Sequence, residues 1–325
     1  MIQINASKAS SSLLSLKMQL ASILSLFSAN SRIFYVDYPV HSNVGDLLIN
    51  LGTEQFFADY KIPIYRRYSV MDMPRLEDLD VDENTTFLCH GGGNFGDLYP
   101  KHQVFREKLL DRFPRARVVF LPQSLHYTSE SAQQKSLQVI SRHPNCHILV
   151  RDQESLEALQ SANIFCCSLM PDMAHHLWGT LKPTRSAVQG RAMLFLRQDA
   201  EMTLLPSGID EVSVHNSFDW NRIVSMRHQM LAGGVYWCLK MAANRLPHNL
   251  NAPAWYSMRD LMITDSIKSF SSYEHIYTNR LHAMLLSLLL GRDVIAFDNS
   301  YGKLSRYISS WLAPAVQDSV LQGGA

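Results

Sequence analysis

The sequence predicts an α/β protein made of two doubly wound units whose strand ends face one cleft. Three observations predict it. Short apolar runs of the kind that fill parallel strands alternate with helical patterns along most of the chain. Polar residues fall directly after these runs, where open α/β sheets bind their ligands. A polar, proline-containing stretch, Leu181–Gln189, interrupts the series and divides the chain into units 1–183 and 184–325.

At 325 residues, 46% hydrophobic and 18% charged, the chain has the composition of a globular protein with a large core. Its formal net charge of +1 gives no global basic field of the kind that draws nucleic acid. The five cysteines are odd in number, contain no CxxC and lack metal-ligand spacing. They read as buried thiols in a reducing compartment. No apolar run reaches the ~18 residues of a membrane span, and the N-terminus lacks the charged and apolar regions of a secretory signal.

Taken in order, residues 1–30 carry Leu13, Leu16, Leu20, Leu24 and Phe27 at helical spacing. They predict an amphipathic helix, packed on its own protein or lying on a membrane surface. The run SRIFYVDY then gives a strand, and Gly45-Asp46 opens a helix whose apolar face is Leu47, Leu48, Leu51 and Phe56. The run TTFLC reads as a buried strand ending in Gly91, Gly92 and Gly93, a turn where backbone can approach a ligand; Asn94 follows. RVVFLP ends in Gln123-Ser124, HILVR ends in Arg151-Asp152, and a last strand of the first unit leads to Pro171-Asp172. In the second unit RAMLFLR is a strand ending in Arg197. Residues 199–250 are broken by Gly233-Gly234 and Pro247, with helical patterns on either side of the glycines. A long helix, a strand into Thr278, a helix from Arg280 to Leu290, a strand at 294–297 and a final helix from Lys303 close the chain.

The strand-end residues carry the candidate chemistry. Asn279 is placed to cap a helix whose first-turn N–H groups, with Arg280, would form an anion site. A guanidinium matches carboxylate and phosphate oxygens in bidentate fashion. His282, two residues on, is placed to act as acid or hydrogen-bond donor. The structural alternative is a capped helix with Arg280 in an ion pair and His282 against the core. Arg197 ends an apolar strand and requires an anionic partner, either Asp199 or a ligand. Asp46 reads as a cap or a general acid/base. Adjacent His175-His176 do not converge on one ion, and no metal site is expected.

Together these blocks resemble the polysaccharide pyruvyl transferase family. The resemblance rests on His41-Ser42-Asn43-Val44-Gly45-Asp46, on His90-Gly91-Gly92-Gly93-Asn94-Phe95-Gly96-Asp97 and on Leu121-Pro122-Gln123-Ser124. It continues through Arg151-Asp152, Pro171-Asp172, Thr278-Asn279-Arg280-Leu281-His282 and Asp298-Asn299-Ser300-Tyr301-Gly302-Lys303. Asn279 departs from the pattern, since the family often carries an acidic residue there; an amide accepts no proton. The resemblance implies two Rossmann-like domains around a central cleft, GT-B-like. It implies phosphoenolpyruvate (PEP) as co-substrate without a further cofactor, and a saccharide acceptor of a bacterial surface or exopolysaccharide unit, built on a lipid carrier. The product would be a cyclic pyruvate ketal. On that reading His282 is the acid and Asp46 the base, while Arg197, Asn279, Arg280 and Lys303 bind PEP. Gly91, Gly92, Gly93, Asn94, Gln123 and Arg151 line the acceptor side. The expected location is cytoplasmic, at the inner face of the membrane. The competing readings are a GT-B glycosyltransferase using a nucleotide sugar and a non-catalytic glycan-binding protein on the same frame.

Overall fold

The computed structural model describes residues 1–71, 73, 76–197, 217–242, 251–298 and 302–316, without the side chains of Ala242, Asn251 and Lys303. Among them, seven parallel strands form one sheet. These are β2 (Arg32–Val36), β3 (Ile64–Tyr68), β4 (Thr85–Cys89), β5 (Gly92–Gly96), β6 (Arg117–His126), β7 (Cys146–Val150) and β8 (Cys167–Leu169). Their order is β3-β2-β4-β6-β7-β8, with β5 beside the second half of β6. Strand β4 is buried at every position and β7 at all but His147, as expected of parallel strands covered on both faces. Helices α1 (Ala6–Gln19), α2 (Val44–Asp59), α3 (Pro100–Arg112), α4 (Glu130–Ser141) and α5 (Gln153–Ser161) accompany this part of the chain.

The second sheet is small and mixed. Strands β9 (Val188–Phe195), β10 (Tyr273–Thr278) and β11 (Asp293–Ala296) run parallel, while β1 (Ile2–Ile4) pairs antiparallel with β11. The N-terminal residues thus complete the second sheet, although sequence order sets them with the first unit. Helices α6 (Trp220–Ile223), α7 (Met226–Ala242), α8 (Asn251–Phe270), α9 (Leu281–Leu289) and α10 (Lys303–Trp311) follow β9 and its successors. Gly233-Gly234 do not break α7, which runs through them as one helix.

Helix α1 covers the protein's own core: Leu13, Leu16 and Leu20 are buried, as is Ile23 in the 3₁₀ turn that continues it. One contiguous hydrophobic cluster runs from α1 and α2 through α8, α9 and α10, joining the two sheets. A large apolar contact of this kind opposes free motion of one unit against the other. Polar bonds reinforce it: Arg259 of α8 donates to Asn50 Oδ1 of α2 at 2.7 Å, and Tyr256 donates to Glu54 at 2.8 Å. The cleft walls are therefore joined through a packed interior.

The glycine run differs from expectation. Gly92 to Gly96 continue as strand β5, pairing with Gln123 to His126 after β4 ends opposite Phe120. A Cβ at Gly91 would lie 2.8 Å from the Pro122 carbonyl oxygen, and Gly96 (φ +139°) leaves its Cβ position inside the His126 backbone. These glycines serve close strand contact. Only Gly93 of the three opens on the cavity described below. Of the cysteines, Cys89 and Cys146 are buried and Cys166 and Cys167 half-buried, but Cys238 on α7 is exposed, against the expectation of five buried thiols.

Candidate active site

The ends of β6, β7, β9 and β10 and the starts of α2, α9 and α10 converge on a cavity of about 560 Å³, within the range of small-molecule sites. His41, Asp46, Asn94, His102 and Arg151 line it from the first sheet's side. Arg197, Asn279, Arg280, His282 and Arg306 line it from the other.

His282 sits in the first turn of α9, which fixes its direction, and Asp172 crosses from the other sheet to meet it. Its Nε2 lies 3.2 Å from Asp172 Oδ2, and Arg151 Nη1 donates to the same oxygen at 2.5 Å. Asp172 Oδ1 caps the following 3₁₀ turn by accepting from the Ala174 N–H at 2.9 Å. The carboxylate is fully buried. Burial alone would push its carboxyl up, but the charges of His282 and Arg151 and the hydrogen bonds outweigh it and hold it well below the ordinary carboxylate range. Arg151 also donates to Ser124 Oγ at 2.8 Å, and the Arg151 carbonyl accepts from Trp311 of α10 at 2.8 Å. This triad ties β7, the 3₁₀ turn and α9 into one electrostatic unit. Asp172 figured in the sequence only as a strand-end residue; its pairing with His282 spans 110 positions.

A second buried carboxylate answers it across the cavity. Asp37, at the end of β2, adopts φ +67°, a strained backbone for a non-glycine residue. It receives His102 Nδ1 at 2.5 Å and Arg106 Nη2 at 2.7 Å. Burial opposes its ionised form, yet Arg106 and His102 hold its carboxyl below the ordinary value. Arg106 also donates to the carbonyl and side-chain oxygens of Asn94, so Asn94 is fixed by the same cation. None of His102, Asp37 and Arg106 was among the sequence candidates. The i, i+4 spacing of His102 and Arg106, which puts both on one helix face, was the available signal.

Several candidates take different parts from those expected. Asn43, not Asp46, caps α2, accepting from the Gly45 N–H at 3.1 Å. Asp46 in the first turn accepts from Asn43 Nδ2 at 2.9 Å and keeps an edge open to the cavity. Asn279 does not cap α9; the N-cap position is Arg280, without a side-chain cap. The Asn279 amide oxygen instead accepts from the Arg197 backbone N–H at 2.9 Å, tying the ends of β9 and β10 together. Arg280 pairs with Asp219 at 2.5 Å, an ion pair beside the cavity. Gln123 is fully buried and donates to the His90 carbonyl; it does not line the cavity, and neither do Gly91 and Gly92. The side chain of Lys303, and Asp199 and Asn299, lie outside the described residues. His175 bonds Tyr307 at 2.8 Å while His176 reaches Asp59 at 3.0 Å, so the two adjacent rings serve separate partners.

Burial holds both His90 and His175 largely neutral, pushed down to about 4. The unfolded chain binds their protons near 6.5, so the stability that depends on their neutral forms is fully present above that pH. It is lost as pH falls from about 6.5 toward 4. The urea midpoint should therefore drop between pH 7 and pH 5; a flat profile would show that neither ring is held neutral.

The profile of the polysaccharide pyruvyl transferase family matches residues 43–301. A protein named "Putative pyruvyl transferase EpsO" from Bacillus subtilis (strain 168) is 34% identical over 315 residues, covering 96% of this chain and 95% of that one. "Pyruvyl transferase 1" of Schizosaccharomyces pombe is 26% identical, over 90% of this chain and 73% of its own length. Among solved structures, KP1_0663 from Klebsiella pneumoniae shares the fold with a TM-score of 0.58 at 17% identity, covering 91% of this chain and 94% of that one. The matched range spans Arg151, Arg280 and His282, which line the cavity, and Asp172, which pairs with Arg151 and His282. The chain belongs to the polysaccharide pyruvyl transferase family.

Proposed function

We propose that the cavity binds PEP on the side of the second sheet and a saccharide diol on the side of the first, joining them as a cyclic pyruvate ketal. In this reading the two units form a GT-B-like pair, 1–183 supplying the acceptor side and 184–325 the donor side. The observation that carries it is the meeting of His282 with three arginines from strand ends, Arg151, Arg197 and Arg280, in one cavity. PEP brings a carboxylate and a phosphate on a three-carbon skeleton, and guanidinium groups match both.

The proton balance assigns work to both walls. Two acceptor hydroxyls each lose a proton as they bond to C2 of PEP. One proton is gained at C3, which becomes the methyl group, and one by the departing phosphate. His282, held through Nε2 by Asp172, supplies the proton on the donor side. On the acceptor side, Asp46 and His102 are placed to take the hydroxyl protons. Asp37 orients the His102 ring through Nδ1, which leaves Nε2 for that purpose.

A thermal-shift titration tests the donor. PEP at about 100 Kd should stabilise the fold by about 2.7 kcal/mol. Arg280→Ala removes a charge-assisted contact of about 1.5–3 kcal/mol and should move the titration at least tenfold to higher PEP. A shift with nucleotide sugars and none with PEP would replace this reading with a glycosyltransferase.

A further inference from the structure

Helix α7 carries an apolar face that no part of the described chain covers. Met226, Met230, Trp237 and Met241 are 75%, 67%, 58% and 78% exposed, and helical spacing lines them along one side. Exposed Gly233 and Gly234 leave the middle of the stripe low. The opposite side, through Ala232 and Leu239, is buried against the protein. Large apolar side chains in a row on a surface mark an interaction site.

Charge says what the face meets. Over its whole length, Met226–Ala242, the helix contains no Asp or Glu and two cations, Arg227 and Lys240, whereas the whole chain nets only +1. Arg227 and Lys240 stand exposed beside the apolar stripe, and Lys240 Nζ lies 4.8 Å from the Trp237 ring centre. Basic side chains flanking Trp and Met on one helix suit an anionic lipid surface, where the stripe enters the acyl boundary and the cations meet headgroup phosphates. The helix for which the sequence left a membrane surface as one alternative does not offer its apolar side: α1 buries Leu13 and Leu16. It shows only Leu14 and Met18 outward as large hydrophobic residues, and Lys17 donates to the Trp178 carbonyl. Among the described residues no helix is long and apolar enough to cross a membrane.

We infer that α7 docks this protein onto anionic membrane surfaces, lying in the plane of the interface. The helix starts shortly after Trp220, which lines the cavity. Docking through α7 therefore holds the candidate site near the lipid surface. The inference is independent of the identity of the donor.

Vesicle co-sedimentation tests it, using phosphatidylcholine alone and phosphatidylcholine with phosphatidylglycerol. The full chain should pellet with the anionic vesicles and stay in solution with the neutral ones. Met230→Ser with Trp237→Ser, and separately Arg227→Glu with Lys240→Glu, should each weaken binding about tenfold or more. These side chains are exposed, so the thermal midpoint of each variant should stay at the wild-type value. Leu14→Ser with Met18→Ser on α1 should bind as wild type. Absence of wild-type binding to anionic vesicles overturns the inference. So does equal binding by the α7 variants, or a dimer of the full chain that Met230→Ser with Trp237→Ser abolishes, which would give the face to a second copy.

Discussion

Asp172→Asn is expected to cost both stability and turnover, more than any other single neutral substitution at the site. The asparagine keeps the shape and loses the charge. Arg151 would then sit almost fully buried without its counter-ion, and breaking a buried pair from one side costs about 3–5 kcal/mol. His282 would lose the acceptor that fixes its ring, and misoriented acid–base groups forfeit about 10²–10⁴ in rate. The two losses separate in a double variant. Arg151→Met with Asp172→Asn removes both charges and should recover part of the stability, since an apolar isostere replaces a buried pair at little cost. Activity should not return. The pH dependence has a definite sign: a carboxylate held below its unfolded value of about 3.9 stabilises the fold above that pH. This contribution is lost as acid protonates it, so the difference between wild type and Asp172→Asn should shrink below about pH 4. Urea unfolding at pH 7 beside product assays checks the first claim; a variant with the wild-type midpoint would remove the pair from the stability argument.

The parts of the fold legible in the sequence are those whose signal is local. Strands β2, β4, β6 and β7 read clearly because burial on both faces leaves continuous apolar runs such as FLC and VVFL. Strand β1 was invisible: three residues, IQI, acquire their structure only by pairing with β11 nearly the whole chain away. The glycine run was legible as a place where Cβ atoms are forbidden, but not as to what forbids them. The β6 backbone does so at Gly91 and Gly96. A similar limit applied to Asn279. Its position before a helix suggested a cap, whereas tertiary contact gave its amide to the Arg197 backbone. The site residues stood out because cations and imidazoles at strand ends are costly unless they are paired or used. Their partners did not stand out. Asp172, Asp219 and Asp37 are ordinary aspartates until the fold brings a histidine or an arginine onto each.

His282→Ala and Gly45→Ala together give the sharpest test of whether the imidazole does chemistry. His282→Ala leaves Asp172 paired with Arg151, so the fold should survive while kcat falls about 10²–10⁴ and PEP affinity changes far less. Gly45 lies in the first turn of α2, against the His282 ring: an added Cβ would sit 2.8 Å from Nδ1 and 3.2 Å from Asn43 Oδ1. Inside a helix the change to alanine is favourable by about 0.5–1 kcal/mol, so the methyl group should not unfold the chain. The ring is the mobile partner and must give way. A shift near 1 Å in a reacting group is worth about 10² in rate. Gly45→Ala should therefore lower kcat with an unchanged or slightly raised thermal midpoint. In the His282→Ala background the same methyl group meets no ring, and it should have little further effect on kcat. A second full loss in the double variant would mean that Gly45 acts through something other than His282. Unchanged kcat in His282→Ala would take the proton donor away from this histidine altogether.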